Sequence, residues 1–396
     1  MTTPEGSQQA AGAVEVSIVM PCLNEADTLE TCITKAQRAL RESGIAGEVI
    51  VADNDSTDGS AEIAARLGAR VVRVGERGYG YALMGGIAAA SGRYVIMGDA
   101  DDSYDFLEVP RFVEKLRQGF DLVQGCRLPA GGGRILPGAM PFSHRWLGNP
   151  FFSALARRWF WSSIHDVYCG MRGFTKALYE RLDQRCTGME FATEMIIKAS
   201  LDGCRIAEVP ITLHPDGRRA HPPHLRTFRD GWRTLRFFLM YSPSRLFLLP
   251  GLLLLSFGLL GYAVAMPGVT AMGVNFDAHT LLFASLAIIC GYQSIQFGVF
   301  TKTFAMSEGL LPADPRIVWL LKRTTLERSL LVGLAAMLLG LFLLGGAVNQ
   351  WREVQFGHLD YARTMRWVIP GVTLTALGFQ TFLSSFFLDI LGLNRR

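Results

Sequence analysis

Four long apolar runs close the sequence: Leu246 to Met266, Ala278 to Phe300, Ser329 to Val348 and Trp367 to Leu391. Each is long enough to cross a hydrocarbon core of about 30 Å at about 1.5 Å per residue. Inside such a core every backbone polar group must be satisfied within the protein, so the runs are predicted to be membrane-spanning helices. The connection Thr301 to Arg328 carries Lys302, Arg316, Lys322, Arg323 and Arg328, and the chain ends in Arg395 and Arg396. The connection Pro267 to Asp277 has no Lys or Arg, and Asn349 to Arg366 has three. The positive-inside rule then puts the long first part of the chain in the cytoplasm, giving a multi-pass protein of the inner membrane if bacterial. Gly291-Tyr292-Gln293-Ser294 and Gly378-Phe379-Gln380-Thr381 share a pattern, which suggests a duplicated two-helix hairpin whose glutamines bond between helices.

The residues before the first run follow a different rule. Residues 1–13 are small and polar, without a signal peptide, and are predicted to be a disordered tail. From Val14 onward short apolar strands alternate with amphipathic helices: strands at Val14 to Pro21, Glu48 to Ala52, Arg70 to Val74 and Arg93 to Met97, helices at about Asn24 to Arg41, Asp58 to Leu67 and Tyr79 to Ala90. That alternation predicts an α/β domain with a mostly parallel sheet over residues 14–223. The net charge of +4 points to no nucleic-acid partner, and seven scattered cysteines without a CxxC pair read as reduced thiols.

Ligands bind at the carboxyl ends of strands in such sheets, and three of those ends carry polar clusters. The first is Pro21 to Glu25, the second Asp53 to Gly59, the third Asp99-Ala100-Asp101-Asp102. Two carboxylates one residue apart at the end of a buried strand can share a hard divalent cation, and such a cation can neutralise a diphosphate. Asp102 and Asp105 fit equally well as caps of the helix that follows. Asp53 suits a ribose or base contact, whereas Ser56, Thr57 and Asp58 read as a turn. Arg77 precedes a glycine-containing helix start that could approach a phosphate, although the spacing is not that of a dinucleotide fingerprint.

Further on come a helix at Val109 to Arg117, a strand at Asp121 to Gly125, Arg127 and a mobile glycine loop at Ala130 to Gly133. Arg145 to Trp161 mixes arginine with aromatics, as at a membrane interface or in a plain buried helix. Asp166 to Phe174 reads as a polar turn, Glu190 to Ser200 as a helix and Ile206 to Leu213 as the last strand. Over residues 224–243, Arg226, Arg229, Arg233 and Arg236 share one helical face beside an apolar face, which predicts an interfacial helix whose arginines meet lipid headgroups. A transmembrane domain over residues 244–396 completes the chain.

Pro21 to Glu25, Asp53 to Gly59, Asp99-Ala100-Asp101 and the late arginine-rich loop together resemble the family-two glycosyltransferases of GT-A fold, in particular the dolichyl-phosphate mannose synthase and polyprenyl-phosphate glycosyltransferase branch. The resemblance covers roughly residues 14 to 240. It implies a GT-A (Rossmann-like) catalytic domain, then the interfacial helix and a four-helix transmembrane bundle. It also implies a UDP- or GDP-sugar donor held by Pro21, Asn24, Glu25, Asp53, Arg77 and Ala100. Mg²⁺ or Mn²⁺ would sit on Asp99 and Asp101, with Ser103 where relatives often place Gln as a third metal contact. Arg127, Arg145, Arg172, Arg218 and Arg219 would align a polyprenyl phosphate acceptor, and a homo-oligomer is compatible with this reading. Inversion of an α-linked donor would give a β-linked lipid-phosphate sugar. The rivals are a processive polysaccharide synthase, an enzyme acting on a lipid alcohol with Asp166 or Glu194 as base, and a non-catalytic transport or scaffold subunit. The three Arg-Trp pairs, at Arg145, Arg158 and Arg366, lack the Gln three residues earlier that polysaccharide synthases carry.

Overall fold

A computed structural model describes residues 14–218, 227–271 and 273–392. The predicted tail and Arg219, Arg226, Arg395 and Arg396 lie outside the described residues. Two units separate at residue 238, Met1–Phe238 and Leu239–Arg396.

The first unit is built on a seven-stranded sheet. In chain order it contains β1 (Val16–Cys22), α1 (Leu29–Glu42), β2 (Gly47–Asp53), α2 (Ser60–Arg66), β3 (Arg70–Arg73), α3 (Tyr79–Ala89), β4 (Tyr94–Met97), α4 (Val109–Arg117) and β5 (Leu122–Cys126). There follow β6 (Arg134–Ile135), α5 (Asn149–Phe160), β7 (Arg172–Thr175), α6 (Lys176–Leu182), α7 (Glu190–Leu201), β8 (Ile206–Pro210), β9 (Thr212–Leu213) and α8 (Thr227–Met240). The sheet order is β3-β2-β1-β4-β7-β5-β8, parallel except for β7, which runs antiparallel to both neighbours. Strands buried on both faces explain the unbroken apolar runs: all four residues of β4 and all five of β5 are buried. Ile18, Met20, Val51 and Ile96 pack with Leu29, Ile33 and Ala36 of α1 and Phe112, Val113 and Leu116 of α4.

Three expectations change here. Arg172 to Phe174, read as part of a polar turn, are strand β7 at the middle of the sheet. The strand expected over Ile206 to Leu213 breaks at Ile211, so that Thr212–Leu213 pair with Arg134–Ile135 instead of continuing in the main sheet. That pairing draws the end of the glycine loop into a small sheet. On α8, Arg233, expected on the headgroup-facing side, forms a two-pronged ion pair with Glu190 of α7 (2.7 and 3.0 Å). Phe238 is buried among Phe152, Trp159 and Phe160, whereas Trp232 is 61% exposed.

The second unit holds four helices long and apolar enough to cross a membrane: Ser244–Ala265, Ala278–Ser307, Leu326–Glu353 and Tyr361–Gly392. We label them α9 (Leu249–Ala265 within the first), α10, α12 and α13; α11 (Pro315–Arg323) is an amphipathic helix in the basic connection, unforeseen in the sequence. Helix α9 packs on α10, and α12 on α13. Both hairpins close on small residues seven apart: Gly251 and Gly258 against Gly291 and Ala284, and Gly333 and Gly340 against Gly378 and Gly371. The repeat suggested by the sequence thus has the same packing in each half. The glutamines are not the glue: Gln380 Oε1 is buried without a hydrogen-bond partner and Gln293 is exposed. Hydroxyls bond across the helices instead, Tyr262 with Ser285 (2.6 Å) and Thr373 (3.0 Å), and Tyr292 with Thr381 (2.6 Å).

Candidate active site

The carboxyl ends of β1, β2 and β4 lie side by side because these strands are neighbours and parallel. Thr28 Oγ1 donates to the Ala100 carbonyl (2.6 Å), which ties the β1 loop to the acidic turn. Asn24, in the left-handed region at φ 59°, accepts from the Thr57 backbone N–H through Oδ1 (2.8 Å), while its own N–H donates to Ser56 Oγ (3.0 Å). Asp53 is nearly buried and accepts from Ser56 N–H (3.3 Å). Asp58 accepts from Ala26 and Ser60, so residues 56–58 brace the loop as a turn. Asp105 caps the turn at Phe106–Glu108 through Leu107 N–H, and Asp102 pairs with Lys35 (2.7 Å). Pro21 sits in β1 beside Ala52.

Asp99 and Asp101 form the core of the site. Tyr79 donates its hydroxyl to Asp99 Oδ1 (2.9 Å). Asp101 Oδ1 accepts from both the N–H (3.0 Å) and the hydroxyl (2.6 Å) of Ser103. Ser103, expected as a third metal contact, thus meets Asp101 directly. Burial, and then the neighbouring Asp101 carboxylate, push Asp99 up to about 6. Arg218 supplies positive charge: Nη2 reaches Asp101 Oδ2 (3.0 Å), Nη1 reaches Glu25 Oε1 (3.1 Å), and Asp216 accepts from the same guanidinium.

This donor set fits a hard divalent cation. Asp99, raised by burial and then by the Asp101 carboxylate beside it, forms no ion pair among the described residues, whereas Asp101 already pairs with Arg218, so a cation would supply the charge that Asp99 lacks. No group of three or more His, Cys, Asp or Glu that could hold a metal gathers among the described residues, so any remaining ligands would come from phosphate or water, the habit of Mg²⁺.

The other arginines are placed differently. Arg127 is locked onto Asp166, with Nε at 2.7 Å and Nη2 at 2.9 Å, and its backbone N–H adds a third bond to the same carboxylate (3.0 Å). Arg172 is wholly buried and donates to the carbonyls of Cys169 (2.7 Å) and Ala192. Burial lowers its pKa, with Tyr79 and Asp99 among the groups that oppose the shift. Both therefore hold the turn at residues 166–170 behind Asp99. Arg145 stacks on Trp146 at 5.3 Å, and its buried Nε has no partner. Arg77 pairs with Asp55 at the surface (3.0 Å). Glu194, the other candidate base, is fully buried, accepts from the backbone N–H groups of Arg185 and Cys186, and pairs with Lys198 (2.9 Å). Tyr79, Thr28 and Asp216 escaped the sequence reading. Only the glycines flanking Tyr79 signalled it, as a close backbone approach.

Comparison with known proteins decides the family. Residues 17–183 match the glycosyl transferase family 2 model, and residues 299–392 match the family 2 C-terminal transmembrane region. The low-salt glycan biosynthesis hexosyltransferase of Haloferax volcanii is 38% identical over 96% of this chain and 90% of its own length. The chain is a family 2 glycosyltransferase. A dolichyl-phosphate hexose transferase of the same organism is 31% identical to the glycosyltransferase over 55% of this chain and 89% of its own length. Among solved structures, glucosyl-3-phosphoglycerate synthase from Mycobacterium tuberculosis, in complex with Mn²⁺, UDP and glucosyl-3-phosphoglycerate, covers 60% of this chain and 84% of that one at 23% identity and a TM-score of 0.43. The membership makes the chain an enzyme, in place of the scaffold alternative, and its spans make it a membrane glycosyltransferase.

Proposed function

We propose that this glycosyltransferase moves a hexose from a UDP- or GDP-sugar to a polyprenyl phosphate, with inversion, at a cytoplasmic site. The observation that carries the reading is the engagement of both candidate bases. Asp166 is held by Arg127 and Glu194 by Lys198 and two backbone N–H groups, so neither is free to deprotonate an alcohol. A phosphate acceptor does not need one: its second pKa is about 6, so it is largely a dianion near neutral pH and already nucleophilic. The enzyme then has to align, not to deprotonate. The polyprenyl acceptor is supported by the dolichyl-phosphate relative, and the cytoplasmic side by the basic connection between the second and third spans.

In this reading Pro21, Asn24, Glu25, Asp53 and Ala100 line the donor nucleotide, and Asp99 and Asp101 hold Mg²⁺ or Mn²⁺ against its diphosphate. Bound there, the cation would neutralise charge on the departing nucleoside diphosphate. Arg77, two residues before Tyr79, would join the diphosphate by leaving Asp55. Arg218, Arg219 and Arg145 present the acceptor phosphate, while Arg127 and Arg172 shape the turn behind Asp99. In-line attack on an α-linked donor gives a β-linked product.

The test uses purified full-length protein in detergent with Mn²⁺ and radiolabelled UDP- and GDP-hexoses. Polyprenyl phosphate and the matching polyprenol are offered side by side. Label entering the organic phase only with the phosphate, as a mild-acid-labile lipid, is the expected result; transfer to the alcohol alone would overturn the reading.

A further inference from the structure

We infer that Tyr79 is a positioning residue for the cation site: its hydroxyl occupies Oδ1 of Asp99 and leaves Oδ2 as the atom that meets the cation. The inference rests on the reading of Asp99 and Asp101 as cation ligands.

Tyr79 is the first residue of α3, and its position is fixed from two sides. Asn54 accepts from the Gly78 N–H (2.8 Å) and donates to the carbonyls of Val74 (3.0 Å) and Glu76 (2.7 Å), so the segment entering α3 hangs on one amide side chain. On the other side Tyr81 N–H donates to the Thr187 carbonyl (3.2 Å), and a Cβ on Gly80 would lie 2.6 Å from the Cys186 carbonyl oxygen. Residues 185–186 are in turn held by Glu194. A phenol carried on so fixed a backbone reaches Asp99 Oδ1 at 2.9 Å. The opposite oxygen faces a glycine: a Cβ on Gly170 would lie 2.6 Å from Asp99 Oδ2. Asp101 repeats the arrangement, with the Ser103 hydroxyl on Oδ1 and Oδ2 turned to a cationic group, Arg218. In both aspartates a neutral hydroxyl takes one oxygen and fixes the carboxylate plane, which is what outer partners do for metal-binding carboxylates.

Mn²⁺ alone is the probe. Full-length protein in detergent is titrated and free Mn²⁺ is read by electron paramagnetic resonance for wild type, Tyr79→Phe, Asp99→Asn and the double variant. Tyr79→Phe is expected to weaken Mn²⁺ binding about tenfold with an unchanged melting temperature, and to add nothing in the Asp99→Asn background. Equal or tighter binding by Tyr79→Phe, or the same loss in both backgrounds, overturns the inference and leaves the cation reading intact. An absence of saturable binding by wild type overturns the cation reading and the inference with it. Gly170→Ala supplies an arm that leaves Tyr79 untouched: crowding Oδ2 is expected to weaken Mn²⁺ binding at least as much, and unchanged affinity would contradict Oδ2 as the ligand atom.

Discussion

The two units bury polar groups by opposite means. In the catalytic unit the buried polar side chains include full charges met by partners, Arg127 by Asp166 and Lys198 by Glu194, and the half-buried Arg218 is met by Asp101, Glu25 and Asp216. In the membrane unit the helix seams are neutral, glycine against glycine and hydroxyl against hydroxyl. Ion pairs among its described residues, such as Arg366 with Asp277 and Lys302 with Asp314, stand near helix ends. The difference follows from the solvent. A lipid-facing bundle gains nothing from apolar burial between helices and gains much from close backbone approach. A water-soluble sheet has apolar burial to spare and can keep charges where chemistry needs them, provided each is paired. The catalytic unit should therefore fail through orphaned charges and the membrane unit through lost contact.

The largest effect is expected at the buried ion pair. Asp166→Ala leaves Arg127 charged and unpaired and should cost about 3–5 kcal/mol, read by denaturant or thermal unfolding; a loss below 1 kcal/mol would break the comparison. In the membrane unit the counterpart is Gly378→Ala, whose Cβ would fall 2.5 Å from the Met337 backbone nitrogen. Overpacking there should cost about 1–3 kcal/mol, whereas Gly345→Ala, with nothing within 4 Å, should leave the melting temperature unchanged.

The same contrast extends to pH at Glu194. Burial raises its pKa, but the Cys186 N–H, Lys198 and the Arg185 N–H outweigh it, so the folded value lies below the ordinary 4.5. A depressed carboxylate contributes stability that is present above its unfolded pKa and lost as pH falls through the folded one. Glu194→Gln should cost about 1–3 kcal/mol at neutral pH, and the gap to wild type should close only as pH drops below 4.5. A gap independent of pH would deny the charge its part. The smallest effect belongs to Arg233→Ala: its pair with Glu190 is partly exposed, so about 0.2–1 kcal/mol is expected.

What the sequence revealed, and what it hid, divides along the same line. Asp99 and Asp101 were legible because a buried strand running into acid is a local pattern, and so were the spans, since length and apolarity are local too. Strand β7 was hidden because Arg172 and Gly173 carry no strand signature; only pairing with β4 and β5, more than 45 residues away in the chain on either ladder, makes them central. The partners of Arg127 and Arg172 were hidden for the same reason. A sequence shows an arginine but not the carboxylate 39 residues later, nor the Ala192 carbonyl, that engages it. Tyr79 was hidden because its partner is reached through the fold, and α11 because its nine residues fall in a connection read only for its charge.

On the proposed reading the Asp99–Asp101 pair carries cation-dependent transfer to a lipid phosphate. The most direct measurement compares wild type and Asp101→Ala in detergent with polyprenyl phosphate and the donor the enzyme accepts, in Mn²⁺ and in EDTA. Wild type should move label into the organic phase in Mn²⁺ and not in EDTA, and Asp101→Ala should fall by about 10²–10³ while remaining folded. Transfer that persists in EDTA, or an Asp101→Ala variant that matches wild type, would overturn that reading.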